Sequence, residues 1–345
     1  MKKLVLTGIR RIEMIDSPQP KLKNPDDVLI RIKTVGVCGS DVHYFTEGRI
    51  GSQIVEFPFA LGHECSGIVV KTGASVSRVK PGDLVAIDPG IHCGTCDQCL
   101  AGRPHTCRNN RFLGCPGQIE GCLAEYIVMP EFTCFTLTNK LNQTTGALIE
   151  PLTIGTYSVE KTQTNFRDKT IGIFGTGPIG LSILMILKTM QTGNIFCYEP
   201  LEYRREKALQ LGADFTLNPF EAVAYDSTSK IEPLLLDLVF ECSGDQKAVD
   251  DALNVLKPGG MLMLVGIPTE ARYIFNMDLM RRKEIVIQNV RRQNHCVEKA
   301  ISLVEKGLPV DQMVTHHFLP EETQVAFEMV SNYQDKVIKA MIDFS

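Results

Sequence analysis

From Thr170 onward the chain alternates short apolar runs with segments of helical period, and this alternation restricts the fold more than any other feature. TIGIF (170–174), NIFCYE (194–199), ADFTLN (213–218), LDLVFEC (236–242), MLMLVG (261–266) and EIVIQNV (284–290) have the length and β-branched content of buried strands. PIGLSILMILKTMQ and LEYRREKALQLG, between the first three, carry helical spacing, and QKAVDDALNVLKPGG predicts a helix closed by a glycine stop ahead of the fifth strand. Strands and helices in alternation predict an α/β fold with a parallel, doubly wound sheet.

The first strand-to-helix turn of that sheet is GTGPIG, with Gly175, Gly177 and Gly180 at the Gly-x-Gly-x-x-Gly spacing and Pro178 and Ile179 opening the helix. The pattern alone is weak, but its place after a buried strand and before an apolar helix makes it a dinucleotide-binding candidate. Glycines permit the tight turn and a close approach by pyrophosphate, and the helix N-terminus offers N–H groups to the phosphates. Glu199 ends the next strand, 19 residues after Gly180. A carboxylate there accepts hydrogen bonds from ribose hydroxyls and repels a 2'-phosphate, which favours NAD. Arg204 and Arg205 beside it can receive that phosphate, so NADP stays open.

The first half of the chain is different. DDVLIRIKTVGV (26–37), CSGIVVKTG (65–73) and DLVAIDP (83–89) are short β-branched runs separated by Gly, Pro and Asp, and little before Gln143 has helical period. A compact β-rich domain is expected there. After Arg291 a helix over HCVEKAISLVEKG, another near 321–332 and a terminal strand in KVIKAMIDF are expected. The 345 residues thus suffice for about two domains. A net charge of −4 gives no general surface for nucleic acid or anionic membrane. The stretch 171–187 is too short and too interrupted by glycine to span a bilayer, and MKKLVLTGIRRIE lacks the apolar region of an export signal. A soluble, cytoplasmic protein is expected.

In such a setting the twelve cysteines argue against a disulfide framework. Cys93, Cys96, Cys99 and Cys107 stand in the pattern C-x2-C-x2-C-x7-C. Four thiolates in so short an excursion can surround Zn2+ and leave no open position, the mark of a structural site. Zinc is favoured over an iron–sulfur cluster, which also takes four cysteines, and over a redox disulfide, which needs two; the spacing leaves all three open. A second set is dispersed. Cys38 in GVCGSDVHY, and His63 and Glu64 in LGHECSG, supply one sulfur, one nitrogen and one carboxylate, the mixture expected when three protein ligands leave a position for substrate. Glu150, in ALIEPL, adds a carboxylate in what reads as a Pro-bounded turn. No spacing rule joins residues so far apart, so from the residues alone this is a candidate catalytic metal set and nothing further.

GVCGSDVH, LGHE, KPGD, the cysteine lobe, GCLAEY, LIEPL, GTGPIG, ECSG and VTHHF together, in this order, resemble the zinc-dependent medium-chain alcohol dehydrogenases over essentially the whole chain. DVHYFTEGRIG (41–51) and ALIEPLTIG (147–155) are most similar to the sorbitol/xylitol (polyol) dehydrogenase branch. The resemblance implies a GroES-like catalytic domain from residues 1–152 and 291–345, with a structural zinc lobe at about 90–110, and a Rossmann NAD-binding domain over 153–290. It implies two Zn2+ per chain. The catalytic zinc would lie on Cys38, His63 and Glu64, with Glu150 near the metal, and the structural zinc on the four lobe cysteines. Asp41 stands where the family orients the metal-bound histidine, and Ser40 and His43 match its proton-relay positions. Val265 and Gly266 join the glycine loop, Glu199 and Arg204 in the expected cofactor set. The implied chemistry is Lewis-acid activation of an alcohol, proton exit through Ser40 and His43 or through Glu150, and hydride transfer to nicotinamide.

Family habit implies a homotetramer or a dimer. Tyr44 and Phe112 are candidate walls of the substrate pocket. VRRQN departs from the branch's Arg-Tyr, and Arg291 or Arg292 could clamp an anion bidentately. That keeps a sugar acid or a phosphorylated polyol, and with them L-threonine, as alternative substrates. A non-catalytic zinc- and nucleotide-binding protein of the same fold is the competing class, and the completeness of the catalytic zinc set and of the glycine loop argues against it. A zinc-finger nucleic-acid binder lacks the basic domain it would need.

Overall fold

Val28, Ile30 and Ile32 alternate with less buried neighbours along the ten-residue strand Asp27–Gly36, and that strand organises the first half of the molecule. The computed structural model describes residues 1–221, 235–268 and 272–345. The chain divides into two units, Met1–Thr153 with Asn294–Ser345, and Ile154–Gln293. In the first unit, among the described residues, one mixed sheet runs in the order Cys134–Thr136, Leu84–Ile87, Glu64–Thr72, Asp27–Gly36, Lys339–Asp343, Val314–Phe318. Strand Tyr126–Pro130 pairs with the start of Asp27–Gly36, and Lys339–Asp343 pairs with its end. The first long strand and the last strand of the chain therefore share one sheet, whose core includes Ile30, Ile32, Val35, Phe45, Phe327 and Ile342.

Two helices that begin in this unit depart from the sequence expectation. Gly39–Glu47 is helical, ended by Gly48 in the left-handed region at φ 67°. Its inward face is Asp41, Tyr44 and Phe45, so a buried carboxylate stands where an apolar period would have an aliphatic residue, and the pattern was hidden. Glu150 is not in a Pro-bounded turn: Gln143–Lys161 is one helix that continues through Pro151. Proline removes a single backbone donor, and burial of Leu148, Ile149 and Leu152 around it keeps the helix intact.

The second unit carries, among the described residues, a sheet in the order Phe215–Leu217, Ile195–Tyr198, Ile171–Phe174, Leu236–Glu241, Leu256–Leu264, Val286–Asn289, all pairs parallel. This is the Rossmann order, and its switch point lies between Ile171–Phe174 and Leu236–Glu241. IGIF is buried at every position, as a strand covered on both faces requires. Helix Pro178–Lys188 is buried from Gly180 through Leu187, which explains why its sequence is apolar nearly all round. The glycines of LKPGG do not form a helix stop, because helix Gln246–Val255 ends earlier and the fifth strand already begins at Leu256. Among the described residues no helix is long and apolar enough to cross a membrane.

Candidate metal centres and nucleotide loop

Antiparallel register places Gly36 opposite Glu64, and so carries the Cys38 that follows one strand to the His63–Glu64 pair that opens the other. The ligand atoms of Cys38, His63 and Glu64 lie within 4.8 Å of one another. Asp41, 0% exposed, ties them together. Its Oδ2 accepts the Cys38 N–H at 3.3 Å, and its Oδ1 accepts the Gly62 N–H at 3.1 Å and lies 3.4 Å from His63 Nδ1. A carboxylate on one imidazole nitrogen fixes the ring and frees the other nitrogen for a metal. Burial pulls the His63 pKa down, but the charges of Asp41 and Cys38 outweigh it and hold the ring well above its ordinary value. Zinc uptake on this ring therefore releases protons. A half-buried sulfur beside a buried imidazole and carboxylate forms a donor set suited to zinc with an open position.

Lys339 is the residue of this centre that sequence reasoning missed. Its side chain is 1% exposed, its Nζ forms an ion pair with Glu64 Oε2, and it donates to the Val37 carbonyl at 3.0 Å. The available signal was a lysine inside the apolar strand VIKAMIDF, where a charge is almost never buried without a partner. Glu150 is also drawn in. Burial, with the charges of Glu64 and Asp88, pushes its carboxyl up to about 7 against the opposing charges of His63 and Lys339.

Around this set, Ser40 Oγ donates to Cys38 Sγ at 3.3 Å. His43 is partly buried, and that burial lowers its pKa against the pull of Glu47, which leaves a neutral imidazole at physiological pH. The Phe112 ring sits 5.5 Å from that of His63. Tyr44, on the inward face of helix Gly39–Glu47, is 4% exposed and packs within the core, and its hydroxyl donates to Gln53 Oε1 at 2.9 Å.

The four lobe cysteines converge as well. Sγ separations are 3.5 Å for Cys93–Cys107, 3.6 Å for Cys96–Cys99, 3.8 Å for Cys96–Cys107 and 4.0 Å for Cys93–Cys99. A tetrahedron with Zn–S bonds of about 2.3 Å has edges of about 3.8 Å. The lobe therefore fits a closed zinc site. Backbone and hydroxyl donation from Thr95 leads the groups that lower Cys93 to about 5, which favours the thiolate that ligation requires.

In the second unit Gly175 takes φ 87°, and a side chain on Gly180 would run into the Gly175 carbonyl, so both glycines are demanded by the turn. Gly177 caps helix Pro178–Lys188, with Pro178 and Ile179 in its first turn. Glu199 is 3% exposed and turned toward this loop: Oε2 accepts the Thr176 N–H at 2.8 Å and Oε1 the Leu201 N–H at 3.1 Å. Arg205 donates to the carbonyls of Glu199 and Pro200 at 2.9 and 2.6 Å, whereas the Arg204 guanidinium lies alongside Gly177. Val265 and Gly266 follow the fifth strand. Arg291 is exposed, and Arg292 is half-buried with φ 52°.

The description "Alcohol dehydrogenase GroES-like domain" matches residues 24–139, and "Zinc-binding dehydrogenase" matches 178–306. Sorbitol dehydrogenase of Bacillus subtilis (strain 168) is 34% identical over 344 residues, 99% of this chain and 97% of that protein. D-xylulose reductase A of Aspergillus niger is 34% identical over 345 residues, 98% of this chain and 95% of its own. Among solved structures, an Escherichia coli oxidoreductase/dehydrogenase of unknown specificity superposes with a TM-score of 0.91 at 32% identity, covering 100% of this chain and 99% of that one. A zinc-binding dehydrogenase of Sinorhizobium meliloti 1021 bound to NADP gives 0.88 at 26%, covering 99% of both. Galactitol-1-phosphate dehydrogenase of Escherichia coli gives 0.90 at 25%, covering 100% of both. The chain belongs to the zinc-dependent medium-chain alcohol dehydrogenase family and is an enzyme of that class. Its relatives set it within the polyol branch, beside sorbitol dehydrogenase and D-xylulose reductase.

Proposed function

We propose that this enzyme oxidises a secondary alcohol of a sorbitol- or xylitol-like polyol to a ketose, with zinc and NAD. The observation that carries the proposal is the convergence of half-buried Cys38 with buried His63 and Glu64, in a chain whose curated relatives are polyol enzymes. The first unit would be the catalytic domain and the second the cofactor domain. When bound, zinc supplies a Lewis acid for the substrate hydroxyl and nicotinamide accepts the hydride. Cys38, His63 and Glu64 hold the metal, and Asp41 keeps the His63 ring in the ligating orientation. Ser40 and the neutral His43 receive the hydroxyl proton and pass it outward, with Glu150 as the second acceptor near the metal. The glycine loop Gly175–Gly180 takes the pyrophosphate. Glu199 favours NAD, while Arg204 keeps NADP within reach. The four lobe cysteines hold the second zinc, and the enzyme works as a cytoplasmic homotetramer or dimer.

A second substrate class rests on Arg291 and Arg292 and on the likeness to a polyol-phosphate dehydrogenase: a sugar acid or phosphorylated polyol, with L-threonine in the same screen. Initial rates of NADH and NADPH formation on sorbitol, xylitol, a sugar acid, a polyol phosphate and threonine test both. The expected result is highest kcat/KM on a neutral polyol with NAD. Turnover of none of them, by protein containing zinc, overturns the proposal. Should R292A lose neutral and anionic substrates equally, the anion clamp is wrong.

A further inference from the structure

One buried acid in the second unit has no part in the chemistry above. Glu241 ends strand Leu236–Glu241, at the switch point of the sheet, and is 0% exposed. Its Oε1 accepts three hydrogen bonds, from the Ser243 N–H at 2.6 Å, the Ser243 hydroxyl at 2.5 Å and the Gly244 N–H at 2.8 Å. Its backbone carbonyl accepts the N–H groups of Val265 and Gly266, both at 2.9 Å. One residue thus gathers the turn after the fourth strand and the end of the fifth. That turn in its turn abuts the glycine loop, since a Cβ built on Gly175 would meet Ser243 N at 3.0 Å. On the opposite flank of the same loop, Glu199 holds the Thr176 N–H at 2.8 Å and its hydroxyl at 3.3 Å.

The other oxygen of Glu241, Oε2, is buried without a hydrogen-bond partner among the described residues, and a Cβ on Gly266 would lie 2.9 Å from it. Buried polar atoms are nearly always paired, and an apolar residue would fill this position without the desolvation cost. What an apolar residue could not do is collect Ser243 and Gly244. Burial raises the Glu241 pKa, and its donors at Ser243 and Gly244 oppose the rise.

We propose that Glu241 is a positioning residue for the nicotinamide nucleotide: its carboxylate sets the Ser243–Gly244 turn against the glycine loop, beside the Val265–Gly266 backbone held by its main-chain carbonyl, and so shapes the crevice before the nucleotide arrives. This rests on the nucleotide-binding function proposed above. Three variants separate the contributions. E241L removes the acceptor, E241Q keeps an acceptor oxygen in nearly the same volume, and S243A deletes one donor. The chain has no tryptophan, so NADH binding is read from the fluorescence of NADH itself.

E241L is expected to weaken NADH by about tenfold or more, the scale of losing buried hydrogen bonds to one acceptor. It should also speed amide exchange at 243–244 and raise the nucleotide KM more than the alcohol KM. E241Q should recover affinity to within about threefold of wild type, and S243A should fall between. Zinc-replete, folded E241L that binds NADH as tightly as wild type overturns the proposal, as does E241Q with the full defect of E241L. Should E241L fail to fold, S243A decides, and wild-type affinity in S243A overturns it. If wild-type protein binds neither NADH nor NADPH, the nucleotide function itself fails and the proposal falls with it.

Discussion

The Lys339–Glu64 pair gives the sharpest prediction, because both side chains are shielded from water at 1% and 2% exposure. Lys339→Met keeps the unbranched apolar stem of the side chain but removes the ammonium. Glu64 is then a buried carboxylate without its counter-charge, and the Val37 carbonyl loses a donor that sits at 3.0 Å. Removing one partner of a buried ion pair typically costs about 3–5 kcal/mol. For a unit of this size that corresponds to a fall of about 6–20 °C in midpoint. The loss should be largest in EDTA-treated protein and smaller with zinc, because the metal supplies Glu64 with another positive neighbour.

A double-mutant cycle isolates the pair: in E64Q/K339M the stranded charge is gone, and most of the K339M loss should disappear. The sign of the pH effect follows from the lysine. Burial pulls its pKa down, but Glu64, Cys38 and Glu150 together raise it above 10.5. Its contribution is therefore complete below pH 10.5 and is lost only as pH rises through the higher folded value. Thermal melts by circular dichroism, with and without EDTA, measure all of this. A K339M midpoint within 2 °C of wild type in EDTA, or a double mutant as unstable as K339M, refutes the reasoning.

Two other substitutions probe the metal centres. Burial first, then Glu64 and Asp88, raises Glu150 from 4.5 to about 7, so the metal-free protein holds the proton more tightly when folded. Stability from this group is full below pH 4.5 and falls by about 3 kcal/mol as pH climbs to 7. E150Q should flatten that slope in urea titrations of EDTA-treated protein between pH 5 and 8, and an unchanged slope would count against the burial argument. C107S removes one corner of the sulfur tetrahedron. Metal analysis should show about one zinc equivalent lost, and limited proteolysis should open at 93–107, while full retention of metal would show that the lobe does not bind zinc as a closed four-sulfur site.

What local spacing can encode was legible in the sequence. The four lobe cysteines lie within fifteen positions, so their convergence needs only a short loop. GTGPIG carries its own geometry, because a helix must start where the strand ends and only glycine tolerates the close backbone at Gly180. The alternating strands and helices were legible for the same reason: periodicity reports burial over a few residues. Helix Gly39–Glu47 escaped because Asp41 is buried on its inner face, and the helical setting of Glu150 escaped because Pro151 reads as a boundary.

Other features belong to tertiary structure alone. Cys38 meets His63 and Glu64 because the β-ladder sets Gly36 opposite Glu64, and no local pattern specifies that register. Lys339 reaches Glu64 across 275 positions of sequence, brought there by a C-terminal strand that pairs with the first long strand of the sheet. Glu241 holds two loops through atoms that converge only once the parallel strands are aligned. Spacing along the chain determined which residue types were on offer. Strand pairing, paid for by burial of the two cores, decided which of them met.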